Sequence, residues 1–200
     1  DVSVSLSTTE AGVESDITVT IVLANALPAD GMILVGFPPS FDPTLLGFVV
    51  TSSDITGDLD VTLENGVATI ERLTGATTLP RGSLIDDLLL LTVKNPPVSG
   101  PTDLWTFSFT DADGAVIDYA EVEGDAITPG TLSLGTVVPA NTAAGVITDV
   151  AVRFRLGNPL PRGAQIEISL PGFTFYTAST TADSALLGVL TVANVTGALN

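Results

Sequence analysis

Residues 11–38 read AGVESDITVTIVLANALPADGMILVGFP, and residues 144–171 read AGVITDVAVRFRLGNPLPRGAQIEISLP. The two stretches align without a gap at one shift, 133 (144 − 11 and 171 − 38). Identities fall at Ala11/Ala144, Gly12/Gly145, Val13/Val146, Asp16/Asp149, Val19/Val152, Leu23/Leu156, Asn25/Asn158, Leu27/Leu160, Pro28/Pro161, Ile33/Ile166 and Pro38/Pro171. A period of this size is one domain's length, so the chain is a piece of a tandem array of like domains. Ile17-Thr18-Val19-Thr20-Ile21 alternates apolar and polar residues, the two-residue period of a half-buried strand.

The same alternation recurs on both sides. It predicts strands at Val2–Ser7, Ser15–Leu23, Met32–Phe37, Phe48–Ser52, Val61–Leu63, Val67–Arg72, Leu88–Val93, Leu104–Thr110 and Val116–Glu121. In the second copy it predicts Thr131–Val137, Thr148–Leu156, Gln165–Leu170 and Leu190–Ala193. Asn65-Gly66 between two alternating runs is a hairpin signal, because both residues accept positive φ. Asp111-Ala112-Asp113-Gly114 reads as a second hairpin. Leu27-Pro28, Leu79-Pro80 and Leu160-Pro161 each precede a Gly and a new strand, where proline suits a strand entry. Only Thr44–Leu46 and Thr180–Leu187 suggest a short helical turn. The fold expected is all-β: tandem immunoglobulin-like antiparallel β-sandwiches.

The expected domains are a complete repeat over 1–127 and a partial second repeat over 128–200. Ile55–Asp60 resembles Val195–Asn200 at a shift of 140 (195 − 55), which places a seven-residue insertion near Phe173–Ser184. Nothing in the second copy then corresponds to Val61–Ile127. Half a sandwich exposes an apolar face. The chain is a fragment, or a neighbouring molecule donates the missing strands, or the structural unit straddles the repeat as phased here. The short stretch Gly124–Gly130 reads as the linker.

Composition narrows the function. The chain is 45% hydrophobic, so it can bury a core. Acids outnumber bases 23 to 6 for a net charge of −17, a field that excludes nucleic acid and anionic lipid as partners. There is no Cys and no His, which removes thiol nucleophiles, disulfides, the usual zinc site and the usual general base. No apolar run approaches the roughly 20 residues that span a bilayer. No Gly-x-Ser-x-Gly elbow or phosphate-cradling glycine loop is present, and no carboxylate pair is marked out for glycoside hydrolysis.

Some candidate chemistry survives. Asp111-x-Asp113-Gly114, with Asp103, Asp118, Glu121 and Glu123 near in sequence, offers oxygen ligands of the kind Ca²⁺ prefers. A solvated Asp/Gly hairpin accounts for the same residues and lacks the closing bidentate Glu of a calcium loop. Asp86-Asp87 and Asp58/Asp60 are lesser acid groupings. Trp105, Phe107 and Phe109 share one strand face, as core or as a sugar-stacking platform. Asn194-Val195-Thr196 is the sole Asn-x-Ser/Thr sequon, so Asn194 is the candidate glycosylation site. Ser7–Thr9, Thr51–Ser53 and Ser179–Thr181 are candidate O-glycan stretches.

Three phrases carry a family resemblance: Asn25-Ala26-Leu27-Pro28-Ala29-Asp30-Gly31-Met32-Ile33-Leu34-Val35-Gly36-Phe37-Pro38, then Asn95-Pro96-Pro97-Val98-Ser99-Gly100, then Thr110-Asp111-Ala112-Asp113-Gly114-Ala115-Val116-Ile117-Asp118. They resemble the "N-x-LPADGxIxIxFP" repeats of very large secreted proteins of algae and oomycetes. The resemblance covers residues 2–127, and 131–200 as a partial copy. It implies Ig-like sandwiches in cell-surface, cell-wall or filament proteins, with flagellar mastigonemes one setting. The function it implies is an extracellular structural module whose partners are neighbouring repeats, copies of itself and covalent glycans. It implies no cofactor, no membrane insertion and no catalytic residue. An adhesin-type module for glycan or protein, calcium-assisted through Asp111 and Asp113, is the other reading.

Overall fold

The computed structural model describes residues 1–41, 43, 49–158, 166 and 168–172. They fall into two compact units, the first Asp1–Leu132 with Leu156–Pro159, the second built on Ser133–Arg155. The first unit holds β1 Val2–Leu6, β2 Glu14–Val22, β3 Met32–Gly36, β4 Val49–Thr51, β5 Leu59–Glu64, β6 Val67–Arg72, β7 Leu84–Lys94, β8 Leu104–Thr110 and β9 Val116–Glu123. One sheet runs β1-β2-β7-β4 and the other β5-β6-β3-β8-β9, every neighbouring pair antiparallel. Every described element is a strand, and the first unit is an antiparallel sandwich of the Ig-like kind.

Alternation sets the faces. Ser15, Ile17, Val19 and Ile21 of β2 are buried while Glu14, Asp16 and Val22 are exposed. From the other sheet Ile33, Val35, Ala68, Ile70, Trp105, Phe107 and Phe109 enter the same core. The Trp105 ring lies 5.0 Å from Phe37 and 5.0 Å from Phe41, tilted to both, so this aromatic face is core and not a sugar platform. Asn65 and Gly66 take φ of 51° and 76°, the pair of positive values that a two-residue hairpin turn demands.

The sequence phrases prove to be fastenings. Leu27 and Leu79 exchange both backbone hydrogen bonds at 2.9 Å, bringing two Leu-Pro phrases side by side before β3 and β7 begin. Buried Asn95 donates through Nδ2 to the carbonyls of Thr8 (2.8 Å) and Glu10 (2.9 Å), pinning the turn between β1 and β2. Asp118 accepts from the backbone N–H of Ala24 and Asn25 and from Asn25 Nδ2 at 2.7–3.1 Å, closing the loop ahead of Leu27. Arg72, at the inward end of β6, donates to the carbonyl oxygens of Pro28 (2.8 Å) and Thr77.

Three expectations need correction. β7 begins at Leu84, not Leu88: Asp86-Asp87 looks like a break but sits inside the strand, at the irregularity between Val19↔Leu88 and Ile21↔Ile85. Gly124–Gly130 is not a free linker. Ile127 and Gly100 exchange backbone bonds at 2.8 and 2.9 Å, Thr128 N–H donates to Thr9, and Ile127 is buried. At the predicted strand Gln165–Leu170, the described Ile166 and Ile168, Ser169 and Leu170 carry no strand. Phe48, Thr44–Leu46, Phe173–Ser184, Thr180–Leu187 and Leu190–Ala193 lie outside the described residues.

The second unit contributes β10 Ser133–Pro139 and β11 Val150–Arg155, an antiparallel pair. Its register reproduces that of β1 and β2. Ser3↔Thr20, Val4↔Val19, Ser5↔Thr18 and Leu6↔Ile17 become Thr136↔Arg153, Val137↔Val152, Val138↔Ala151 and Pro139↔Val150, each shifted by 133. Ser7 N–H donates to Asp16 at 2.8 Å, as Ala140 N–H does to Asp149 at 2.8 Å. Gly12 and Gly145 have φ of 68° and 75° in the connecting turns. Identical side-chain spacing has produced identical pairing.

Candidate functional site

Among the described residues a dense polar grouping forms where β4 ends beside β7. Ser52, Ser53 and Asp54 leave β4 and lie against the Asp86-Asp87 irregularity. Asp87 Oδ1 accepts from Ser52 Oγ at 2.6 Å, and its Oδ2 accepts from Ser53 N–H at 2.7 Å and from Ser53 Oγ. Asp54 Oδ2 accepts from Asp86 N–H at 2.9 Å. Carboxylate oxygens of Asp54, Asp86 and Asp87 lie within 4.8 Å of one another. The Ser52 and Ser53 hydrogen bonds hold Asp87 well below the usual carboxylate range. The charge of Asp54, with a hydrogen bond to it and the charge of Asp87, pushes Asp86 up.

These are hard-cation ligands in type, yet both oxygens of Asp87 are already committed to serine donors. What remains is a like-charge contact between Asp54 and Asp86. Its sign is clear. A carboxyl whose pKa is raised on folding contributes stability below its unfolded pKa and loses it as pH rises through the folded value. Asp86→Asn therefore raises the melting temperature at pH 7, and the gain disappears near pH 3. Paired thermal melts at the two pH values check this. A gain of equal size at both would remove the electrostatic account.

The predicted calcium residues sit on the β8–β9 hairpin. Asp111 Oδ1 accepts from the N–H groups of Asp113 (3.0 Å) and Ala115 (2.8 Å), so its carboxylate shapes the turn. Asp113 is exposed. Among the described residues no third carboxylate joins them: Asp118 is turned to Asn25, and Glu121 Oε1 accepts from Tyr119 OH at 2.6 Å, which raises the Tyr119 pKa. Asn194 lies outside the described residues.

A broader surface is the outer face of the five-stranded sheet. Register sets its cross-strand rows: Thr62, Thr69, Leu34, Ser108 and Tyr119 in one, Glu64, Val67, Gly36, Thr106 and Glu121 in the next. Gly36 has a reason. A Cβ there would stand 2.2 Å from Thr106 Oγ1. The centre is a low strip of hydroxyls and small apolar groups. Its rims carry Asp60, Glu64 and Glu71 on one side and Glu121 and Glu123 on the other, all exposed. No outward position of these strands is Lys or Arg. Such a face attracts cations or a basic rim on a partner, and repels its own copy at low salt.

A groove of about 450 Å³ bounded by Ser40, Pro96–Thr102 and Ile127 has no titratable lining residue. Sequence reading singled out the hairpin acids and missed both the Asp54–Asp86–Asp87 grouping and the Arg72 clamp. A Ser-Ser-Asp run and an Asp-Asp pair 33 residues apart (87 − 54) carry no signal of meeting until β4 is paired to β7.

No protein-family model and no curated protein sequence matches the chain. Among solved structures it is similar to a non-cellulosomal cohesin from the hyperthermophilic archaeon Archaeoglobus fulgidus, at 10% identity and a TM-score of 0.33, over 62% of this chain and 91% of that one. At that score the likeness bears on neither partner nor activity.

Proposed function

We propose that the chain is an extracellular structural module of a cell-surface filament or matrix protein, acting as spacer and lateral assembly surface and not as an enzyme. The observation that carries this reading is the 133-residue repeat of one hairpin with one register. Repetition of a rigid block yields length and spacing. The resemblance to algal and oomycete surface repeats points the same way, as does the placement of the signature residues. Asn25, Leu27, Asn95 and Asp118 fasten loops and leave the outer sheet face to vary.

Sedimentation velocity tests the reading. Acid-rimmed faces repel until salt screens them, with a Debye length of about 30 Å at 0.01 M and about 3 Å at 1 M. The chain is expected to be monomeric at low salt and to associate as sodium chloride rises. Monomers throughout that range, at high protein concentration, would count against lateral assembly. The adhesin alternative draws on the Asp54–Asp86–Asp87 grouping. It gains ground if calcium chloride at matched ionic strength acts differently from sodium chloride and Asp54→Asn abolishes the difference.

A further inference from the structure

Charge is divided unevenly along the chain. Residues 1–127 carry 20 acids and 3 bases, a net −17, whereas residues 128–200 carry 3 of each. Arg153 and Arg155 of β11 are both exposed, and their counterparts in β2 are the uncharged Thr20 and Val22. We infer that the outward face of β11 docks on the β9 side of the acid-rimmed sheet face in another copy of this chain, with Arg153 and Arg155 against Glu121 and Glu123.

Two observations carry this. First, the spacings match. Tyr119, Glu121 and Glu123 are exposed at alternate places of β9, while Ala120 and Val122 between them turn to the core. Ala151, Arg153 and Arg155 are the exposed alternate places of β11. Both rows repeat every two residues of strand, about 6.7 Å. Laid one on the other in the same order, two acids meet two bases, and the Tyr119 ring, 59% exposed, meets the small Ala151. Val138 is paired with Ala151, is 54% exposed and extends the apolar end of the contact.

Second, neither row meets opposite charge from its paired strand. Glu121 and Glu123 stand opposite Thr106 and Leu104, and Arg153 and Arg155 opposite Thr136 and Ser133. The self-repulsion of a chain with net charge −17 does not forbid the contact. That repulsion acts at long range and fades beyond a Debye length, about 8 Å at 0.15 M salt, whereas charges brought together in an interface are screened far less. Donor and acceptor are different surfaces. Each bound pair of copies therefore keeps one free donor and one free acceptor, and the contact can propagate along an array of copies.

The inference rests on the lateral-assembly reading and names its contact. Sedimentation velocity of the 200-residue chain at about 0.15 M sodium chloride tests it. Glu121→Gln with Glu123→Gln removes the acceptor, Arg153→Gln with Arg155→Gln removes the donor, and circular dichroism checks that both variants fold. At a concentration where wild type runs beyond the dimer, each variant alone is expected to associate about tenfold more weakly. An equimolar mixture is expected to stop at the dimer, because one copy brings the only donor and the other the only acceptor. Arg153→Lys with Arg155→Lys keeps the charges and should still assemble. Net charge alone predicts another pattern: the glutamate variant, at −15 (−17 + 2), associates more than wild type, and the arginine variant, at −19 (−17 − 2), less. That pattern would overturn the inference and leave lateral assembly standing. So would variants that assemble as wild type does, or a mixture no larger than its separate components. Wild type that stays monomeric at every salt concentration removes both.

Discussion

Truncation of Arg72 to alanine is expected to lower the unfolding free energy of the first unit by about 2–4 kcal/mol. The guanidinium is buried at the end of β6 and donates to the carbonyls of Pro28 and Thr77, while its Nε has no partner. Burial pushes its pKa down, but an arginine stays charged in any working range. Among the described residues the cation is held by carbonyl dipoles, and those carbonyls belong to the two loops that enter β3 and β7. Alanine takes the donor from the Thr77 oxygen, leaves the Pro28 oxygen only the Gly31 N–H at 3.0 Å, and opens a cavity beneath them. Methionine refills the volume without restoring a donor, so Arg72→Met should fall between wild type and alanine. Arg72→Lys keeps the charge but loses the two-pronged reach, and should also fall between. Trp105 is the single tryptophan and is buried in this unit, so its fluorescence during urea unfolding reports the change directly. A midpoint shift equivalent to less than about 1 kcal/mol would show the clamp to be dispensable.

Arg72 also marks the limit of what could be read in the sequence. The strands of the first unit were legible because a sandwich writes its two faces into alternate residues: β8 runs Leu104–Thr110 as expected, with Trp105, Phe107 and Phe109 inward. Turns were legible where a residue type is nearly obligatory, as at Asn65-Gly66. An arginine in the last inward place of an alternating strand looks like the strand's polar end, and only the arrival of Pro28 and Thr77 from distant loops makes it a core residue. Asp86-Asp87 misled for a related reason. Two adjacent acids break alternation, yet an irregular pairing absorbs the extra residue and lets β7 continue to Leu84. The acid grouping with Asp54 follows from that pairing and had no local signature. By contrast, the repeat was readable because it needs no tertiary knowledge, and Val4↔Val19 returns as Val137↔Val152.

That equivalence of register and inequivalence of surroundings leads to the largest effect expected. Val19 is fully buried, with Val4 opposite it on β1 and Leu88 opposite it on β7. A carboxylate at that place would lose its water and gain no donor, a cost of several kcal/mol on top of the lost packing. Against a total stability of order 5–15 kcal/mol, Val19→Asp should abolish cooperative folding of the first unit, and Trp105 emission should shift to that of a solvated indole. Val152→Asp makes the same chemical change at the same position of the same hairpin, where the side chain is only partly buried and β10 is the one strand paired with it among the described residues. There the charge keeps much of its hydration, so the Trp105 transition should hold its midpoint to within about 0.5 kcal/mol. Equal tolerance at both positions would mean that Val19 is not in the core. Equal disruption would mean that folding of the first unit depends on Val152. Either result would undo the contrast between a buried Val19 and a half-buried Val152.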